Sequence, residues 1–127
     1  MSAFIASGPP SRVIEEAVDG NLDLVLLEPS MIELARVLVE KLDFDRKRLQ
    51  ETLSLLHDVA SNFQASPMQT PEPLTGDPDD DLILQCAVAA GVRVLVSGDR
   101  RHLLPIGEYD GVRILTPQAF LAELRTS

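Results

Sequence analysis

The sequence predicts a three-layer α/β/α fold with a mainly parallel sheet, carried by one domain over residues 1–127. Three observations predict it. Helix-like and strand-like segments alternate along the chain. The runs LDLVLL (22–27) and VRVLVS (92–97) are short and apolar almost throughout, as strands covered on both faces require. The segments between them carry single apolar stripes at helical spacing.

Residues 9–19 (PPSRVIEEAVD) align Val13, Ile14, Ala17 and Val18 on one stripe, and Gly20 stands where a helix would end. Strand 22–27 follows. From Pro29 to Leu42 the pattern is again helical, with Met31, Ile32, Leu34, Ala35, Leu38 and Leu42 expected inward. Asp45 is the expected N-cap of the next helix, which turns Leu49, Leu53, Leu56, Ala60 and Phe63 inward. These two helices should form an antiparallel pair. Pro67, Pro71, Pro73 and Gly76 interrupt all periodicity before Pro78, so Gln64–Pro78 reads as a connecting loop. A helix at 79–90, strand 92–97, a loop, strand 112–115 (VRIL) and a last helix complete the chain. That helix opens on Thr116-Pro117, a cap and a first-turn proline, and carries Phe120, Leu121 and Leu124.

Composition restricts the function. With 127 residues, 45% of them hydrophobic, the chain can bury a core without staples. The single Cys86 excludes an internal disulfide, argues against a thiolate metal cage and fits a reducing cytoplasm. No stretch reaches the roughly 18 to 20 apolar residues of a membrane span, and the N-terminus lacks the features of a signal peptide. The net charge of −9 opposes a nucleic-acid groove held by bulk positive charge. Phosphate chemistry on such a chain therefore requires a divalent ion between carboxylates and phosphate.

The segment GDPDDDL (76–82) supplies carboxylates in abundance: Asp77, Asp79, Asp80 and Asp81. In an open α/β sheet the functional crevice lies outside the C-terminal ends of the strands. Asp99 follows strand 92–97 at that edge, and the preceding helix starts there too. Asp80 lies on the stripe of Ile83 and Ala87, so Asp80 and Asp99 can converge. Glu33, near the start of the helix after strand 22–27, belongs to the same end. Converging carboxylates repel unless protonated, solvated or bridged by a cation, and oxygen donors suit Mg²⁺ or Mn²⁺. Plainer roles fit the same residues. Asp79 can be an N-cap, Asp77-Pro78 a turn, Glu33 a surface glutamate and Asp99 a loop residue. His57 reads as solvated and His102 as structural. Arg100-Arg101 can meet a phosphate or merely balance the acids.

The segments LEPSMIELARVL (27–38), DPDDDLILQCAVAAGVRVLVSGDRRHLL (77–104) and GVRILTPQAFLAEL (111–124), with SGPPSRVIEEAVDG (7–20), resemble the PIN-domain family, in its branch of toxin components of toxin–antitoxin systems. The resemblance implies a small ribonuclease dependent on Mg²⁺ or Mn²⁺ held by four acids. It puts the helix glutamate at Glu33, the third acid at Asp80 with Asp81 as the register alternative, and the post-strand aspartate at Asp99. Ser97 matches a hydroxyl residue near the site, and Arg100 or Arg101 would steady the substrate. The implied partners are single-stranded RNA and an antitoxin-like protein, with no membrane. The family opens on a strand ending in an Asp-Thr-Asn-like motif, which should lie upstream of SAFIASGPP. The expectation is therefore a PIN-like sheet whose first central strand, and first acidic ligand, are missing. Direct pairing of strands 22–27 and 92–97, or segment exchange in a homodimer, would then close the gap. Two functions follow: a metal-dependent ribonuclease using Glu33, Asp80 and Asp99, or a catalytically inactive PIN-like binding or dimerisation module.

Overall fold

The computed structural model describes residues 2–5, 11–68, 72–97 and 101–126. In chain order these form strand β1 (Ser2–Ile5), helix α1 (Ser11–Val18), strand β2 (Asp23–Leu27) and helices α2 (Glu28–Glu40) and α3 (Arg46–Val59). Strand β3 (Asn62–Gln64), helix α4 (Pro78–Ala90), strand β4 (Val94–Val96), a 3-10 turn (Leu104–Ile106), strands β5 (Glu108–Tyr109) and β6 (Val112–Leu115) and helix α5 (Pro117–Thr126) follow. The six strands make one sheet in the order β3-β2-β1-β4-β6-β5. All neighbours run parallel except β5, which pairs antiparallel with β6 through a tight hairpin.

Strand β2 is buried at four consecutive positions, Leu24 to Leu27, and β4 at all three of its positions. Successive strand side chains point to opposite faces, so burial at every position means cover on both sides of the sheet. The helices supply that cover, which gives the α/β/α arrangement expected from the alternation. The core gathers Leu24, Leu27, Leu95 and Val96 from the sheet, Ile83 and Leu84 from α4, and Phe120 from α5.

The sheet corrects one expectation outright. The central place is filled: Ser2 and Ala3 pair with Asp23 and Leu24, and Ala3 to Ile5 pair with Val94 to Val96. Strands β2 and β4 therefore neither pair directly nor need segment exchange. Two parallel inner strands each leave a row of backbone donors and acceptors open, and the short extended stretch SAFI satisfies both rows at once. The strand brings no carboxylate, because the first acid of the sequence is Glu15.

Smaller corrections concern helix faces. Ile32 (64% exposed) and Leu42 (57% exposed) were expected inward. Ile32 sits about 160° round the helix from the buried Leu34, and Leu42 follows the end of α2, where Asp43 turns the chain with φ 53°. Phe63 belongs to β3 rather than α3 and is exposed, since α3 ends at Val59. Val18, expected on the inward stripe of α1, is exposed as well, whereas Val13 and Ala17 are buried. The cap expectations hold: Asp45 Oδ1 accepts from the Arg48 amide at 2.8 Å, and Thr116 Oγ1 from the Ala119 amide at 3.1 Å. Among the described residues no helix is long and apolar enough to cross a membrane.

Candidate metal centre at the acidic edge of the sheet

Helix α2 begins directly after β2, and α4 runs antiparallel to the β4 strand that follows it, so both N-termini reach the edge formed by the C-terminal ends of the parallel strands. The N-terminus of α4 organises that edge. Its N-cap is Asp77, not Asp79: the Asp77 Oδ1 accepts from the amides of Asp79 at 2.8 Å and Asp80 at 3.4 Å. Pro78 fits the first turn because its missing N–H would have no helical partner there. At the other end Gly91, with φ 70°, closes the helix by donating to the carbonyls of Ala87 and Val88.

The four aspartates of GDPDDDL then separate by role. Asp79 is exposed, and acids in a first turn are favoured by the helix dipole. Asp81 is 5% exposed, and its Oδ1 accepts from the Leu74 amide (3.1 Å), the Thr75 amide (2.7 Å) and the Thr75 hydroxyl (2.7 Å). Burial alone would raise its pKa. The Thr75 hydroxyl and the two amides outweigh that and hold the carboxyl below its ordinary range. Asp81 thus pins the loop that enters α4.

Asp80 is 8% exposed, and its Oδ2 lies 3.3 Å from Nδ1 of His102. Asp77, Asp80 and His102 each offer one donor atom, all within 4.8 Å of one another. The Asp77 carboxylate can serve twice, since one oxygen caps the helix and the other keeps its lone pairs. Two carboxylates and an imidazole are the donor set of a divalent cation. Of the register alternatives, Asp80 is the residue in this group, while Asp81 is turned into the loop.

The remaining sequence-predicted residues distribute around this point. Glu33 is half-buried in α2 and lines a cleft of about 230 Å³ shared with Arg36, Ser66, Asp79 and Leu82. It therefore shares a cleft with Asp79, the neighbour of Asp80, and is outside the three-residue group. Ser97 is buried just past β4 and donates its amide to the Leu115 carbonyl at 2.9 Å. Arg101 is exposed in the loop that carries His102. Asp99 and Arg100 lie outside the described residues. Cys86 is buried, which pushes its thiol up to about 11, so it stays protonated at neutral pH and offers no thiolate to an ion.

Two members of the group escaped sequence reasoning. Asp77 reads as a turn residue because Asp-Pro is a turn signature, and a capping carboxylate with a spare oxygen looks the same. His102 reads as structural because nothing in its neighbours marks it. Its position was the available signal: it stands five residues after Ser97, in a loop leaving a strand at the functional edge.

A family model described as PIN domain matches residues 1–101. No curated protein matches the chain. The match covers well over half of the sequence and agrees with the parallel sheet and its acidic edge, and the chain belongs to the PIN-domain family, a nuclease superfamily whose members use divalent metals.

Proposed function

We propose that this chain is a divalent-metal-dependent ribonuclease that hydrolyses single-stranded RNA. The observation that carries the reading is the convergence of Asp77, Asp80 and His102 at the C-terminal edge of a parallel sheet in a PIN domain. A bound Mg²⁺ or Mn²⁺ there would lower the pKa of a water and neutralise charge on a phosphate. The chain's own residues do the positioning. Asp80 is held in the first turn of α4 by the Asp77 cap, and Asp81 fixes the approach of the loop, so the carboxylate arrives preorganised. Glu33 and Asp99 complete the acidic set in this reading, Ser97 lies beside it, and Arg100 and Arg101 meet the RNA phosphate on a chain otherwise dominated by negative charge. A role as the toxin of a toxin–antitoxin system, with an antitoxin-like partner, a homodimeric state and a cytoplasmic site of action, is supported by the resemblance of segments 27–38, 77–104 and 111–124.

One observation favours a second reading, an inactive PIN-like binding or dimerisation module: β1 carries no carboxylate to the edge. Cleavage of single-stranded RNA in Mn²⁺, measured for the unmodified chain, Asp80→Asn, Asp99→Asn and a metal-free control, separates the two. The nuclease reading expects cleavage that both substitutions and metal removal abolish. Absence of cleavage at every Mn²⁺ concentration leaves the binding module.

A further inference from the structure

We infer that His102 is a direct metal ligand, and that with Asp77 and Asp80 it makes the centre favour an imidazole-accepting ion such as Zn²⁺ over Mg²⁺. The inference rests on the metal-centre reading above and adds a nitrogen donor to it. Geometry supplies the first reason. Two donors each about 2.1 Å from one ion stand roughly 3.0–3.4 Å apart. The His102 Nδ1 to Asp80 Oδ2 separation is 3.3 Å. The second reason is independent of the acids, because the imidazole comes from a different segment, the loop before the 3-10 turn at Leu104–Ile106. That loop packs over the turn preceding α4: a Cβ added at Gly76 would come within 3.9 Å of His102 Cδ2. The ring therefore lies against the turn that presents Asp77.

The chemical consequence follows from donor type. Mg²⁺ takes oxygen ligands and holds its waters, and Mn²⁺ too is suited by oxygen, while a neutral imidazole suits the later first-row ions such as Zn²⁺. A site in which one donor of three is nitrogen loses affinity for Mg²⁺ relative to an all-oxygen site of the same charge. With no carboxylate on β1, nitrogen ligation by His102 supplies a donor that this strand does not.

Isothermal titration of the full chain with MnCl₂, ZnCl₂ and MgCl₂ tests this, using His102→Ala, His102→Gln and Asp80→Asn alongside the unmodified protein. The expected result is a tenfold or greater loss of Zn²⁺ affinity in both His102 variants, with Mg²⁺ affinity changed less than about twofold, and loss of all three ions in Asp80→Asn. If Asp80→Asn loses every ion while both His102 variants bind as before, the centre stands and His102 is not a ligand. If Asp80→Asn binds as before, the centre itself is wrong. A second readout needs no variant. The chain holds two histidines, and Zn²⁺ should move the Nδ1 ¹⁵N resonance of His102 and leave that of His57 in place. An unmoved His102 resonance at saturating Zn²⁺ overturns the inference.

Discussion

Helices α2 and α4 bring their N-termini to the same edge of the sheet, and both place a proline in the first turn, yet they are secured in different proportions by packing and hydrogen bonds. Helix α2 follows Leu27 with no side-chain cap, and Leu27, Pro29 and Ser30 are buried around its start. Packing holds it. Helix α4 is capped by Asp77 and tied to its entry loop through Asp81 and Thr75. Hydrogen bonds hold it. The acids differ accordingly: α2 has one in its first turn, Glu28, taken up by the Ser66 amide, whereas α4 has Asp79, Asp80 and Asp81 there and keeps the last two buried. Glu33 stands one turn further along α2.

Within α4 the comparison sharpens to two adjacent residues, and the largest expected effect tests it. Asp80→Asn should reduce metal-dependent cleavage by at least about 100-fold, the scale of losing a group that supports the reacting centre, while the thermal midpoint stays nearly unchanged. Asp81→Ala should do the reverse. It leaves the amides of Leu74 and Thr75 without their acceptor, while the Thr75 hydroxyl keeps the Asp77 carbonyl at 2.9 Å, and this costs about 1–3 kcal/mol in a denaturant titration. Equal loss of stability in the two variants would show that the division of labour between Asp80 and Asp81 is false.

The pH dependence carries the same contrast. Because folding lowers the pKa of Asp81, its charged form stabilises the fold above the ordinary carboxylate range, and that contribution is lost as pH falls through the lowered value. Denaturant midpoints measured across the acid range should therefore fall more steeply for the unmodified chain than for Asp81→Asn. Parallel curves would mean that Asp81 contributes nothing specific to acid stability.

The extent to which this was legible in the sequence differs between fold and site for a physical reason. Strands β2, β4 and β6 and the helix pair were readable because burial on a fixed face leaves periodicity in the residues. Strand β1 was not, since SAFI is four residues long and its place is set by the two open strand edges beside it. The same holds at the edge of the sheet. Asp80 was legible through its spacing to Ile83 and Ala87, both buried. His102 reaches Asp80 from a loop 22 positions along the chain, and no local pattern encodes that approach.

The cap offers a smaller effect. Asp77→Ala removes the acceptor for the Asp79 and Asp80 amides and should cost about 1 kcal/mol. Asp77→Asn keeps a capping oxygen, so its stability should stay close to that of the unmodified chain while Mn²⁺ affinity falls. If Asp77→Asn loses stability and keeps its affinity, the residue is a cap alone and the centre is reduced to Asp80 and His102.

The smallest effect lies on the packed side of the comparison. Ser30 is 2% exposed in the first turn of α2, and its hydroxyl has no hydrogen-bond partner among the described residues. A hydroxyl buried without a partner has given up water for nothing. Alanine at this position removes the orphaned group, leaves a void no larger than one oxygen atom and is the better helix former. Ser30→Ala should therefore be neutral or stabilise by about 0.5–1 kcal/mol in denaturant titration, in contrast to every polar deletion at the start of α4. A loss above about 1 kcal/mol would mean that the Ser30 hydroxyl adds a polar contact of its own to the one Glu28 makes with the Ser66 amide, and the contrast between the two helix termini would narrow further.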